Sequence, residues 1–270
     1  MGKNNVRLIL LIYVLSMANA YCLNKVESIE VLPKVINFDH RSEKHSITIQ
    51  AIFSDGTTKD IVQNSSVAIS NTKIASYVNG FFTAIADGET KVKVSFEGFT
   101  ETISINSKNT QQDKTVSFSL DVMPVFTRSG CNVGGCHGSS RGKDRFRLAL
   151  FGYDPDGDYE RLTTEFPGRR VNLAVPEDSM ILTKSLNKVP HTGGKLFEKD
   201  SFEYSAIMDW LKNGAKKDPK DIKTPIKLEV FPQETVFQGK GTQTISIRVT
   251  YSDGSDRDVS NLTTYVSSDS

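Results

Sequence analysis

Apolar and polar positions alternate along two stretches that repeat one another. In ITIQAIFSDGTTKDI (residues 47–61), Ile47, Ile49, Ala51 and Phe53 alternate with other residues. In ISIRVTYSDGSDRDV (residues 245–259), Ile245, Ile247, Val249 and Tyr251 do the same. A period of two predicts half-buried strands. The runs align without gaps, and Asp55-Gly56 and Asp253-Gly254 supply tight hairpin turns at the same place. IEVLP at Ile29 to Pro33 is echoed upstream of the second run by LEVFP at Leu228 to Pro232. In the first copy further short strands are predicted over residues 74–76, 80–85, 91–96 and 101–105, with Gly88 and Gly98 between them, the spacing of a β-sandwich. The second copy stops at Ser270, where the first still has strands to come. Open edges and core positions are costly, so the chain is expected to be a fragment of a longer protein, the alternative being a strand supplied in trans.

Residues 116–218, between the copies, change in texture: Gly-rich stretches and Arg clusters lie between two helical patterns. Asp200 to Gly214 begins with capping residues, places Ile207, Trp210 and Leu211 on one face, and ends in a glycine suited to the position past a helix. A shorter helix is predicted over residues 122–129, with Pro124 in its first turn after Asp121.

The N-terminus has another pattern. Lys3 and Arg7 precede the apolar run Leu8 to Leu15, and Ala18-Asn19-Ala20 forms an A-x-A site. This predicts a secretory signal peptide over residues 1–20, its apolar core too short for the roughly 20 residues that span a bilayer. The protein is expected to be exported, to the periplasm or cell surface. Cys22 suggests acylation, but Asn19, Ala20 and the bulky Tyr21 before it are a poor context.

Composition narrows the function classes. Lys plus Arg is 33 against 32 for Asp plus Glu, a net charge of +1, so no nucleic-acid partner is expected. Three cysteines in 270 residues cannot build a disulfide scaffold, so each needs its own explanation. No nucleophile–base pair or paired carboxylates are legible, so no catalysis is expected within these residues.

The candidate chemistry lies in Cys131-Asn132-Val133-Gly134-Gly135-Cys136-His137. The haem c attachment signature is C-x-x-C-H, with thiols on the vinyl groups and the adjacent histidine on iron. Here the spacing is C-x4-C-H, and Gly134 and Gly135 allow two extra residues to loop out. Two alternatives remain open: a Cys2His2 zinc site from Cys131, Cys136, His137 and His191, strained by the adjacent Cys136 and His137, and a Cys131–Cys136 disulfide. The run Asp154 to Glu160, with Glu165 at the twelfth place, suggests calcium, but Tyr159 stands where an EF-hand loop needs glycine, which favours a solvated turn. His40 and His45 are expected to be solvated, and Arg141, Lys143, Arg145, Arg147, Arg169 and Arg170 are possible partners for haem propionates.

Two resemblances add to this reading. Residues 26–107 resemble the group 2 bacterial immunoglobulin-like domain through Ser54-Asp55-Gly56, Ser70 to Ser76 and Asn79-Gly80 to Gly88, with Val67 and Ile69 in the stretch where a tryptophan is usual. Residues 116–218 resemble the planctomycete-type cytochrome c domain found in large exported proteins. The carrying runs are DVMPVFTRSGCNVGGCHG (121–138), RLALFGYDPDGDYERLT (147–163), GRRVNLAVPEDSMI (168–181) and VPHTGGKLFEKDSFEYSAIMDWLKNGA (189–215). This resemblance implies one covalent haem c on Cys131 and Cys136, His137 as proximal ligand and His191 as distal ligand, with Met180 the alternative. It also implies one-electron transfer to a redox partner protein, and a cell-surface polymer or other envelope proteins are further possible partners of the Ig-like modules as spacers or adhesive units. The expected fold class is multidomain: an all-β Ig-like sandwich (26–107), a mainly α cytochrome c-like domain (116–218) and an incomplete second Ig-like sandwich (225–270). The competing expectation is a structural or carbohydrate-binding envelope protein with a zinc- or disulfide-stabilised centre.

Overall fold

The two Ser-Asp-Gly runs fold alike. In the first, β1 (Val26–Leu32) pairs antiparallel with β4 (Thr48–Phe53), Ile29 opposite Ala51 and Val31 opposite Ile49; β4 then turns into β5 (Thr58–Asp60). The Asp55 carboxylate accepts from both the backbone N–H and the hydroxyl of Thr57, closing an Asx turn around Gly56 at φ 80°, where glycine has no Cβ to clash. In the second copy Asp253 makes the same two bonds to Ser255, beside Gly254 at φ 79°. The computed structural model describes residues 24–112 and 115–269. The expected signal peptide and Cys22 lie outside the described residues.

The first copy continues through β2 (Val35–Phe38), β3 (Lys44–Ser46), β6 (Ser66–Ile69), β7 (Ala75–Val78), β8 (Phe81–Ala84), β9 (Gly88–Phe96) and β10 (Phe99–Ser107). These form a four-stranded sheet in the order β2-β10-β9-β6 and a three-stranded sheet in the order β3-β8-β7. Alternation holds along β9, where Thr90, Val92 and Val94 point inward and Lys91 and Lys93 outward. Val31, Ile36, Phe38, Ile49, Phe82 and Ile105 are fully buried in the resulting core.

The C-terminal sheet, β11 (Pro225–Phe231), β12 (Ser246–Tyr251) and β13 (Asp256–Asp258), repeats the register of β1-β4-β5, with Leu228 opposite Val249 and Val230 opposite Ile247. It lacks a counterpart of the four-stranded sheet among the described residues. Leu228 is accordingly 59% exposed, where its equivalent Ile29 is 5% exposed.

This sheet packs on the first sandwich and on the middle segment. Ser46 donates through N–H and Oγ to Asp258, both at 2.6 Å, and Asn37 donates to Asp256 at 2.7 Å. Arg248, itself buried, reaches Asp256 and the imidazole of His45. His45 is therefore not solvated as its polar neighbours suggested: it is fully buried in this seam, with Phe38 edge-on at 4.5 Å. The covering side chain lies 203 residues away, beyond any local pattern.

The expected fold class does not survive. The described chain is mostly β, and the middle segment is not a mainly α cytochrome c-like domain. Its helices are α1 (Met123–Arg128), α2 (Pro155–Thr163), α3 (Met180–Ser185) and α4 (Phe202–Lys212), joined by turns. The amphipathic helix forms as α4, capped by the Ser201 hydroxyl, and the shorter one as α1, entered through a π-turn at Phe118–Val122. The intervening sequence cannot sustain longer helices. Gly130, Gly142, Gly152 and Gly168 all take positive φ, as do Asp144, Arg145, Phe151 and Phe166, and short helical runs are marginal without propagation. Phe118, Tyr159 and Trp210 pack edge to face and tilted at the centre, which holds the segment together around one apolar cluster.

Candidate functional site

The chain enters the site from α1. Past Gly130, the Cys131 carbonyl accepts from the His137 N–H at 3.0 Å, and the Val133 carbonyl accepts from the N–H groups of Cys136 and Gly138 at 2.9 and 3.1 Å. The segment thus doubles back, and Gly134 and Gly135 loop outward, both exposed. A Cβ on Gly135 would meet nothing within 4 Å, whereas one on Gly138 would meet the Asn132 carbonyl oxygen at 2.0 Å. Glycine at 138 is therefore required for the doubling back.

The fold brings Cys131, His137, Met180 and His191 to one cavity of about 430 Å³, together with Phe126, Leu148, Ile181 and Leu196 and the cations Lys143, Arg145, Arg169 and Lys184. That volume lies within the roughly 300–1,000 Å³ of sites for small ligands and cofactors. Cys136 is not among the lining residues; its N–H closes the turn onto the Val133 carbonyl. No disulfide joins Cys131 to Cys136. Burial pushes the Cys131 thiol up to about 12, and the neighbouring Cys136 adds to the effect, so Cys131 is a neutral thiol at ordinary pH.

The imidazoles of His137 and His191 face each other with centroids 6.5 Å apart and planes 8° from parallel. His137 Nδ1 lies 2.9 Å from the Phe146 carbonyl, and His191 Nδ1 lies 2.9 Å from the Gly194 carbonyl. A carbonyl can only accept, so each ring donates from Nδ1, and the neutral form of such a ring leaves the Nε2 lone pair available to a metal. Burial holds His137 below its ordinary pKa, opposed by the Phe146 carbonyl and reinforced by His191, which keeps it in the neutral form that ligation needs.

The spacing discriminates between metal readings. With metal–nitrogen bonds of about 2 Å, two imidazoles on opposite sides of one ion hold their centroids roughly 6 Å apart, and at a tetrahedral angle roughly 5 Å. The observed 6.5 Å is nearer the first value. No group of three His, Cys, Asp or Glu side chains suited to one ion forms among the described residues. Two imidazoles with parallel planes and one cysteine on the same cavity wall are the donors present.

Other residues singled out in the sequence have different duties. Asp154 caps α2 by accepting from the Gly157 N–H at 3.0 Å, and Arg161 pairs with Asp154 and with buried Asp158. The acidic run is thus a helix start and not the solvated turn expected of it. Glu165 pairs with Arg170, whose guanidinium also donates to backbone carbonyls at the cavity wall. The Phe146 carbonyl, the Arg170 contacts and the closeness of Gly193 to the His191 ring carry no spacing signature and were not legible in the sequence.

No protein-family model matches the chain, and no curated protein matches it. A solved structure of domains 4 and 5 of the S-layer protein SbsC is similar over 31% of this chain and 53% of that chain, at 15% identity and a TM-score of 0.27.

Proposed function

We propose that this is an exported protein that carries one haem c, covalently attached through Cys131 and Cys136, and exchanges single electrons with a redox partner protein. The observation that carries the reading is the pair of parallel imidazoles, His137 and His191, 6.5 Å apart across a cavity lined by Cys131. Bound haem supplies the ferric–ferrous couple. The chain's own residues do the rest. The Phe146 and Gly194 carbonyls fix the tautomers of the two ligands, and Phe126, Leu148, Ile181 and Leu196 keep the cavity wall apolar. Lys143, Arg145 and Arg169 are exposed cations among the lining residues and can pair with the haem carboxylates. A second imidazole is a stronger donor to ferric iron than a thioether, so the potential should be lower than with Met180 as ligand.

The test is a pyridine haemochrome spectrum with intact-mass analysis of protein made in a host competent for haem c maturation. One haem bound through both thiols is expected, and His191→Ala should convert a low-spin spectrum to high-spin. Free thiols or bound zinc in that preparation would overturn the reading and leave a structural envelope protein.

A further inference from the structure

His137 is fixed by a carbonyl that itself sits in a strained turn. Lys143 and Phe146 close a two-residue hairpin through Lys143 N–H to Phe146 O at 2.9 Å and Phe146 N–H to Lys143 O at 2.8 Å. Both central residues, Asp144 and Arg145, have positive φ, 50° and 62°. Turns of this kind favour Asn-Gly, because a Cβ crowds the backbone there. Something outside the turn must hold it, and that side chain is Arg170, 6% exposed. Its Nη2 donates to the Arg145 carbonyl at 2.9 Å. Its Nη1 donates to the Arg161 and Glu165 carbonyls. The guanidinium lies 4.5 Å from the Phe146 ring centroid and 5.4 Å from that of Phe166. The Phe146 carbonyl thereby stays where it can accept from both Lys143 N–H and His137 Nδ1–H, using both lone pairs.

We propose that Arg170 is a positioning residue for His137: by clamping the Lys143–Phe146 turn it holds the Phe146 carbonyl on Nδ1 and so selects the tautomer whose Nε2 is free to ligate. The functional meaning rests on the haem reading above; the tautomer claim does not. Only a planar fork with several donors can span three carbonyls from two chain segments, so lysine is not equivalent.

The experiment uses the full chain without haem first. Two-bond proton–nitrogen spectra of the histidine side chains distinguish the Nδ1–H from the Nε2–H form of His137. Wild type is expected to hold the Nδ1–H form. In Arg170→Met the ratio of the two forms should fall roughly fivefold to tenfold, the worth of one hydrogen bond, while Lys240→Met, exposed and away from the cavity, leaves it unchanged. An unchanged ratio in folded Arg170→Met overturns the proposal. If that variant does not fold, Arg170→Lys decides: an intermediate ratio supports the clamp and a wild-type ratio overturns it. In haem-loaded protein, Arg170→Met should gain high-spin character. Wild type that takes up no haem while the tautomer shift persists would sink the haem reading alone.

Discussion

Gly193 offers a way to disturb one ligand without touching its side chain. A Cβ built there would lie 3.0 Å from His191 Cε1, 3.3 Å from Nε2 and 3.5 Å from Nδ1, against the face of the ring. Its φ is outside the left-handed region, so alanine adds no backbone strain, and in a loop it should even stabilise by about 0.4–1 kcal/mol through the unfolded chain. Carbon atoms sit comfortably at about 3.5–4.0 Å, so the ring must shift by roughly 0.5–1 Å. That shift pulls Nδ1 off the Gly194 carbonyl and moves the ring out of its parallel setting with His137.

Overpacking by one methyl costs about 1–3 kcal/mol when the neighbour cannot yield. Converted at 1.4 kcal/mol per tenfold, that weakens the His191 ligand by roughly 5- to 150-fold. Gly193→Ala in haem-loaded protein should therefore show a high-spin fraction in its absorption and magnetic circular dichroism spectra, reversed by added imidazole. Gly135→Ala, where a Cβ meets nothing within 4 Å, is the silent control. A wild-type low-spin spectrum in Gly193→Ala, insensitive to imidazole, would refute both the packing argument and His191 as ligand.

Three further outcomes follow from the packing. Arg257→Leu removes the guanidinium that sits 2.6 Å from the buried Asp121 carboxylate and should destabilise the chain by about 3 kcal/mol, read as a lower urea midpoint; a change under about 0.5 kcal/mol would contradict it. Trp210 is fully buried, and its Nε1 donates to the Lys216 carbonyl at 3.0 Å, so Trp210→Ala should cost about 3–5 kcal/mol by the same assay. Burial holds His45 below its ordinary value of 6.5, only partly offset by Glu43, so the unfolded chain takes up this proton before the folded one does. Its contribution to stability is complete above pH 6.5 and lost as pH falls below it, so the urea midpoint should drop between pH 7.5 and pH 5, and His45→Gln should flatten that slope.

What could be read in the sequence was what is local. The Asp55 and Asp253 turns form because the residue two places on carries both an N–H and a hydroxyl, and the Ser201 cap needs only the next three residues. The spacing of Cys131 and Cys136 likewise showed where two residues must loop out, and Gly134 and Gly135 do so. The mainly α expectation for the middle segment came from its resemblance to a cytochrome c domain and not from its own periodicity, which predicts helix only at the two ends; the turns between are held by side chains far apart in sequence. Arg170 reaches back 25 residues to Arg145, and Tyr159 reaches forward 56 to the Ala215 carbonyl. Such bonds leave no period.

The same long-range contacts bear on what the β-modules do. A spacer must let its neighbours move independently, and a polar seam that is buried and paired resists that, because opening it exposes charges whose partners are on the other side. Here α1, which delivers the chain to Cys131, is held from the C-terminal module by Arg128 donating to the Asn261 carbonyl at 2.7 Å, and the π-turn before it by Arg257 on Asp121. That module is in turn fastened to the first sandwich through Asp258 on Ser46 and Arg248 on His45. The Cys131 end of the site is therefore braced by residues more than 120 positions downstream. Cutting the chain at residue 218, after the last residue of the apparent middle domain, would remove the brace along with the module. Haem uptake by the 24–218 piece should then fall well below that of the full chain, although every proposed ligand is still present.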